Sequence, residues 1–220
     1  MSTIALPFPL LPSVAGRASD SVPSRAPAMQ VLSDRALVER AAGGDTDAFA
    51  ALYRRYERPV FGVLLRLAGG RRALAEEWLQ EAFTRVWLAA GTHDPARGEV
   101  RPWIYKIALN TARSELSRKR NRLPHVSLDE KGLDLPDEGA GEKGFAARLD
   151  EARRTEAVAR ALRELPDFMR EVVVLRCSRE LSFAEIAEVT GAPEGTLKSR
   201  FHRAVAALRE AVGREPGGAR

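Results

Sequence analysis

Apolar residues along this chain recur at intervals of three and four, the period of helices that bury one face. In the stretch RRALAEEWLQEAFTRVWLAAG, Leu74, Trp78, Leu79, Ala82, Phe83, Val86, Trp87 and Ala90 form one wide stripe. Phe49, Leu52, Tyr53 and Tyr56 repeat the spacing one helix earlier, with Asp45 or Asp47 as the cap. Pro59 is expected to kink or break that helix, because proline removes a ladder donor and crowds the preceding turn. A short helix, SDRALVERAAGG, comes first, with Ser33 or Asp34 at its start and glycines closing it. A fourth is expected from about Val100 to Arg118, after the loop GTHDPARGE. Pro102 suits its first turn, and Trp103, Ile104, Ile107, Ala108, Thr111 and Ala112 face inward. The four helices predict a compact helical domain over residues 33–122.

Helical pattern resumes near Ala146 and runs to Leu165, where Pro166 stops it. The short apolar helix DFMREVVVLRC follows, then LSFAEIAEVTGAPEGTLKSRFHRAVAALRE. That last stretch reads as two helices with a tight turn. Ser182 with Glu185 three residues on is a capping box, which satisfies two N–H groups at a helix start. Gly191 can take the left-handed conformation that ends a helix, and Pro193 fits the first turn of the next. Small Ala187, then Gly191 four later, then apolar Leu197 is the spacing of a helix-turn-helix. The second domain therefore spans 152–212. The expected fold class is all-α: two small helical domains joined by a flexible linker over 123–151, with a disordered extension over 1–32 and a frayed tail over 213–220.

At 100° per residue, Leu197, Phe201, Ala204, Val205 and Leu208 make the buried face of the last helix. Gly195, Ser199, His202, Arg203 and Ala206 lie opposite, flanked by Lys198 and Arg200. Small, hydroxyl and cationic groups on one face can enter a major groove, where Arg and Lys meet phosphates or guanine. The plainer alternative is an amphipathic helix with a solvated basic face.

Composition agrees with helix. Hydrophobic residues are 45%, enough for a core, and aromatics only 6%. The net charge is +5 and the pI about 9.8, compatible with nucleic acid or another anionic surface. Distribution sharpens this. From Arg101 to Arg122 stand seven bases (Arg101, Lys106, Arg113, Arg118, Lys119, Arg120, Arg122) against Glu115, a net +6 and a phosphate-binding stripe by charge alone. Tyr105 and Trp103 add aromatic surface beside it for unstacked bases, although Trp103 also fits the core. Ser127 to Glu151 has eight acids and three bases, a net −5. The single cysteine, Cys177, cannot form an internal disulfide, which fits a cytoplasmic protein, and its apolar run predicts a buried or half-buried thiol. No stretch approaches the ~20 apolar residues of a bilayer span, so no membrane insertion is expected. The N-terminal apolar patch is broken by Pro7 and Pro9 and lacks a preceding positive charge, which argues against export; translation from Met29 is an alternative start.

The last thirty or so residues of the second domain resemble region 4 of bacterial sigma factors, and ALRELPDFMREVVVLR matches the helices that lead into it. AEEWLQEAFTRVW followed by RPWIYKIALNTARSELSRKR resembles region 2. Two such blocks in this order with a short linker are typical of the extracytoplasmic-function class. The resemblance covers about Ser33 to Glu210. It implies a promoter-specificity subunit whose partners are core RNA polymerase, through its clamp coiled-coil and flap, promoter DNA, and an anti-sigma factor. Glu77, Gln80, Glu81 and Arg85 on the third helix would form the polymerase contact; Gln80 and Glu81 match the family's QE pair, while Glu77 stands where Asp is common and Trp78 where Leu or Ile is.

The same resemblance assigns the loop from Thr92 to Glu99 to capture of a flipped base of the −10 element, with His93, Asp94 and Arg97 offering suitable groups. Arg101, Trp103, Lys106, Asn110, Arg113, Arg118, Lys119 and Arg120 would contact DNA there, Asn110 either doing so or tying its helix to a neighbour. Lys198, Ser199, Arg200, His202 and Arg203 would read the −35 element. The acidic linker either serves as a solubilising tether or threads the polymerase interior.

Two other classes remain. A stand-alone helix-turn-helix regulator would bind operator DNA without polymerase, but 33–122 carries no visible ligand motif. A nucleic-acid enzyme would need paired carboxylates, a P-loop or an activated nucleophile, and none is apparent. No catalytic residue, cofactor or metal site is expected, since His93, His125 and His202 lie far apart with no supporting acid or Cys spacing.

Overall fold

The computed structural model describes residues 32–122, 145–179 and 181–213. Nearly all of the expected N-terminal extension, most of the linker and the tail lie outside them. Eight α-helices are described: α1 Asp34–Ala42, α2 Thr46–Leu67, α3 Arg72–Ala89, α4 Val100–Arg122, α5 Phe145–Glu164, α6 Asp167–Arg179, α7 Phe183–Thr190 and α8 Glu194–Gly213. Two 3-10 turns, Ala90–Thr92 and Pro95–Arg97, link α3 to α4. No strand occurs among the described residues.

The helix starts are where the side chains dictate. Ser33 Oγ accepts from the Ala36 N–H and caps α1. Asp45 Oδ1 accepts from the Asp47 and Ala48 N–H groups, both at 3.0 Å, and caps α2. Asp34 also holds α1 to α2, taking hydrogen bonds from Arg55 and from the Tyr56 hydroxyl. Burial and that bond push the Tyr56 phenol well above its ordinary pKa.

The first core is a pack of α1–α4. Leu37, Phe49, Leu52, Tyr53, Val60, Leu64, Trp78, Phe83 and Ile104 are all buried. Phe83 makes edge-on contacts with Tyr53 at 4.7 Å and Phe49 at 6.4 Å. Helix α2 runs without a break through Pro59. The cost of an interior proline, about 3 kcal/mol for the lost ladder bond and the ring's clash together, is outweighed by apolar burial on both sides of it, from Phe49 through Leu67.

The second module packs α5, α6 and α7 around α8. Leu165, Met169, Val173 and Ala204 are buried together, with Leu162, Phe201 and Leu208 against them. Cys177 is exposed, not buried as its apolar run suggested. Val172 to Leu175 are all buried, but Cys177 lies past them near the end of α6, where the helix leaves the core.

The modules are not merely tethered. Helix α6 packs on α2 and α7 packs on α4. One continuous buried cluster runs from Val60 and Leu109 of the first into Val172, Leu175 and Ile186 of the second.

Candidate nucleic-acid and polymerase interfaces

Helix α7 begins at Ser182, whose Oγ accepts from the Glu185 N–H at 3.1 Å while Glu185 Oε2 accepts from the Ser182 N–H at 2.8 Å. It ends at Gly191, with φ 75° and ψ 7°, whose N–H donates to the Ala187 carbonyl at 2.8 Å. Pro193 sits one residue before α8, and its carbonyl accepts the first helical bond from Leu197 at 3.1 Å. Leu197 and Ala204 are buried, and Phe201, Val205 and Leu208 partly so. Gly195, Ser199, His202, Arg203 and Ala206 are exposed. The outward face is therefore the one expected from winding the sequence. Lys198 is exposed, paired with Glu194 at 3.2 Å and set 5.9 Å from the Phe183 ring. Arg200 is half-buried, its guanidinium 5.1 Å over Phe168. Ser199, His202 and Arg203 form the open strip between them.

The turn from α3 to α4 builds a second site. The Thr92 hydroxyl donates to the Ala89 carbonyl at 2.8 Å, and Asp94 Oδ1 accepts from the Ala96 N–H at 2.9 Å. Gly98, at φ 150°, turns the chain into α4. Folding brings His93, Asp94, Trp103 and Lys106 around one cavity of about 210 Å³. His93 stands edge-on to Trp103 with centroids 4.8 Å apart. Trp103 is half-buried, packed on the core and open to this cavity. Tyr105 is not available beside it: at 1% exposure it belongs to the core, turned away from the cavity-facing side of the helix. The backbone of Arg97 is described, but its side chain lies outside the described residues, as do those of Lys119 and Arg120.

The cationic stripe on α4 is less open than its charge suggests. Arg113 donates two bonds to Glu171 on α6, Nε to Oε1 at 2.8 Å and Nη2 to Oε2 at 2.6 Å. That forked pair holds the Arg113 guanidinium above its ordinary pKa. Arg101 lies 3.7 Å from Glu185 of α7, and Arg118 pairs within its own helix with Glu115 at 2.5 Å. Lys106 and Asn110 are exposed. The inward Thr111 hydroxyl donates to the Ile107 carbonyl at 2.9 Å, so its buried polar group is satisfied within the helix.

On α3, Glu77, Gln80 and Glu81 are exposed and Arg85 is half-buried, its Nε 2.7 Å from Glu81 Oε1. Leu88 extends the strip and is 71% exposed. The wide buried stripe of this helix hides it in the sequence; its place eleven residues after Glu77, three helical turns, is the signal that could have found it. Glu171, Glu185 and Glu188 are not expected from the sequence as neighbours of the first module, since no local pattern reports which helix of another module they face. Among the described residues no cluster of metal-ligating side chains occurs, and no helix is long and apolar enough to cross a membrane.

Comparison with known proteins agrees with this arrangement. The family description Sigma-70 region 2 matches residues 52–122, and Sigma-70, region 4 matches residues 155–208. The chain is 32% identical over 178 residues to the ECF RNA polymerase sigma-E factor of Haemophilus influenzae, covering 79% of this chain and 92% of the relative. Among solved structures it is similar to CnrH in complex with the cytosolic domain of CnrY, at 28% identity and a TM-score of 0.61, covering 83% of this chain and 98% of that one. The fold is also that of the sigma factor RpoE in complex with the anti-sigma factor NepR from Bartonella quintana, at 19% identity and a TM-score of 0.54, covering 74% and 96%. With region 2 and region 4 in one chain and nothing longer between them than the acidic segment, this protein belongs to the extracytoplasmic-function class of the sigma-70 family.

Proposed function

We propose that this sigma factor, when docked on core RNA polymerase, reads a promoter at two places with the side chains described above. The observation that carries the reading is the pairing, in one chain, of a stacking pocket beside a cationic helix with a helix-turn-helix whose outer strip is Ser199, His202 and Arg203. The duplex −35 element meets α8, where Arg203 and Lys198 engage phosphates or guanine edges. The −10 element is opened at the α3–α4 turn. Extruding a base costs a few kcal/mol of stacking and pairing. Trp103 supplies a stacking surface, His93 and Asp94 supply hydrogen bonds, and Lys106 sits where the backbone phosphate would run. Arg97, Arg101, Arg113, Arg118, Lys119 and Arg120 continue the cationic track, with Asn110 beside them as a neutral hydrogen-bonding group.

The strip of Glu77, Gln80, Glu81, Arg85 and Leu88 on α3 serves as the polymerase contact. The chain breaks and makes no bond itself; polymerase does the chemistry, so neither a cofactor nor a metal is required. Such a factor works in the cytoplasm, and an anti-sigma protein is its natural antagonist, as the similar RpoE–NepR complex supports for the fold.

Co-purification with bacterial core polymerase tests the reading. The wild-type chain is expected to co-elute stoichiometrically, and Glu81→Lys combined with Leu88→Glu to weaken that association by tenfold or more. No association of the wild-type chain would overturn it.

A further inference from the structure

The two cations that flank the open strip of α8 are each set against an aromatic ring from another helix. Lys198 lies 5.9 Å from the Phe183 ring of α7, and Arg200 has its guanidinium 5.1 Å over the Phe168 ring of α6. Their charges are balanced differently. Lys198 pairs with Glu194 at 3.2 Å, whereas among the described residues no carboxylate pairs with Arg200. Phe168 is a large apolar side chain left 45% exposed, and it stands outside the helix-turn-helix itself. On the reading that α8 enters the −35 groove, we propose that Phe168 is a positioning residue for promoter binding: its ring holds the Arg200 guanidinium ready for a backbone phosphate beside that groove.

The placement follows from widths. A helix with its side chains is about 10–12 Å across and the major groove about 12 Å wide, so the flanks of a seated helix run along the two phosphate walls. Lys198 sits about 100° round the helix from buried Leu197 and Arg200 about 60° round the other way, one on each flank. A guanidinium over a ring turns its flat face to the π-cloud and keeps its in-plane N–H donors for a forked acceptor such as phosphate. The ring also stands on a fixed support. Arg170, two residues on, donates to the carbonyls of Leu162, Arg163 and Leu165 at 2.7 Å each, which ties the start of α6 to the end of α5. Met169 beside Phe168 is buried with Ala204 of α8. Arg200 thus has less freedom to lose when a phosphate arrives.

The test uses purified holoenzyme, the full chain assembled on core polymerase, and a fluorescent duplex promoter fragment from which that holoenzyme starts transcription. Affinity is measured in the cold, before strand opening, over a series of salt concentrations. Arg200→Ala is expected to lower the magnitude of the slope of log affinity against log salt by about one, the signature of one lost phosphate contact. Phe168→Ala is expected to weaken binding about two- to fivefold with the slope kept, since the charge remains. Phe168→Leu, which keeps apolar bulk without a π-face, is expected to lose as much, and Phe168→Tyr to recover wild-type affinity. In the double variant the loss is that of Arg200→Ala alone. Wild-type affinity in Phe168→Leu, fully additive losses in the double variant, or an unchanged slope in Arg200→Ala would each overturn the proposal. So would a Phe168→Ala loss confined to association with core polymerase, which would make the ring a protein contact. Arg203→Glu separates the two readings. If it weakens fragment binding while the Phe168 variants do not, α8 still reads the −35 element and only the positioning role falls. If Arg203→Glu also has no effect, the −35 reading itself has failed and the proposal with it.

Discussion

At Asp45 one carboxylate does three things: it takes two backbone N–H groups at the start of α2 and an ion pair from Arg40 at 2.6 Å. The backbone bond from Ala48 leads the effects that hold this carboxyl below its ordinary pKa. A depressed folded value means the contribution is complete above the ordinary carboxylate range and is lost as pH falls through the lowered folded value. Asp45→Ala is expected to cost about 1 kcal/mol in urea unfolding at neutral pH, with the gap from wild type closing in acid; a gap that persists there would contradict the capping account. Trp78 offers a contrast, since its indole N–H is buried without a hydrogen-bond partner. Removing a buried unsatisfied donor recovers about 1–3 kcal/mol while lost volume costs stability. Trp78→Phe is therefore expected to destabilise by well under the ~3 kcal/mol lower bound of a buried Trp→Ala change, measured by the same unfolding. The residues that local chemistry controls were legible in the sequence: Ser33, Asp45, the Ser182–Glu185 box and Gly191 each act within five residues of themselves.

At the scale of the element, periodicity predicts the helices and their faces, and α8 shows why. Its buried and exposed positions follow from one angle per residue, so the outward direction of Ser199, His202 and Arg203 is fixed by their spacing from Leu197 alone. What periodicity does not supply is the fate of Pro59, where burial outweighs a local penalty, or of Cys177, which stands past the last buried residue of its apolar run. The turn that sets α8 at its angle depends on Gly191, where an added Cβ would meet nothing within 4 Å but the backbone is left-handed. Gly191→Ala is thus expected to cost about 1–2 kcal/mol from conformation alone, read in equilibrium unfolding, with no change of helical content below the transition. Arg203→Glu places a negative charge on the open strip; it is expected to reduce polymerase-dependent transcription by tenfold or more while leaving association with core polymerase intact.

Across the whole molecule, charge along the sequence does not report what surrounds it. The net +6 of α4 is plain, yet Arg101 and Arg113 meet acids from another module, a pairing between residues 58 or more positions apart that no window on the sequence can see. The cavity at the α3–α4 turn was half legible: His93, Asp94, Trp103 and Lys106 all line it, whereas Glu188 comes from α7, and Tyr105 turns into the core. The two modules pack on one another through α2 with α6 and α4 with α7, contacts that join parts of the chain far apart in sequence.

The central claim, that this chain selects where a polymerase begins, is tested most directly by in vitro transcription with purified bacterial core polymerase on genomic promoter fragments. Adding the chain is predicted to create discrete new start sites, which Lys106→Glu reduces by lowering strand opening, seen as permanganate reactivity. Transcription from the same positions with and without the chain would contradict the account.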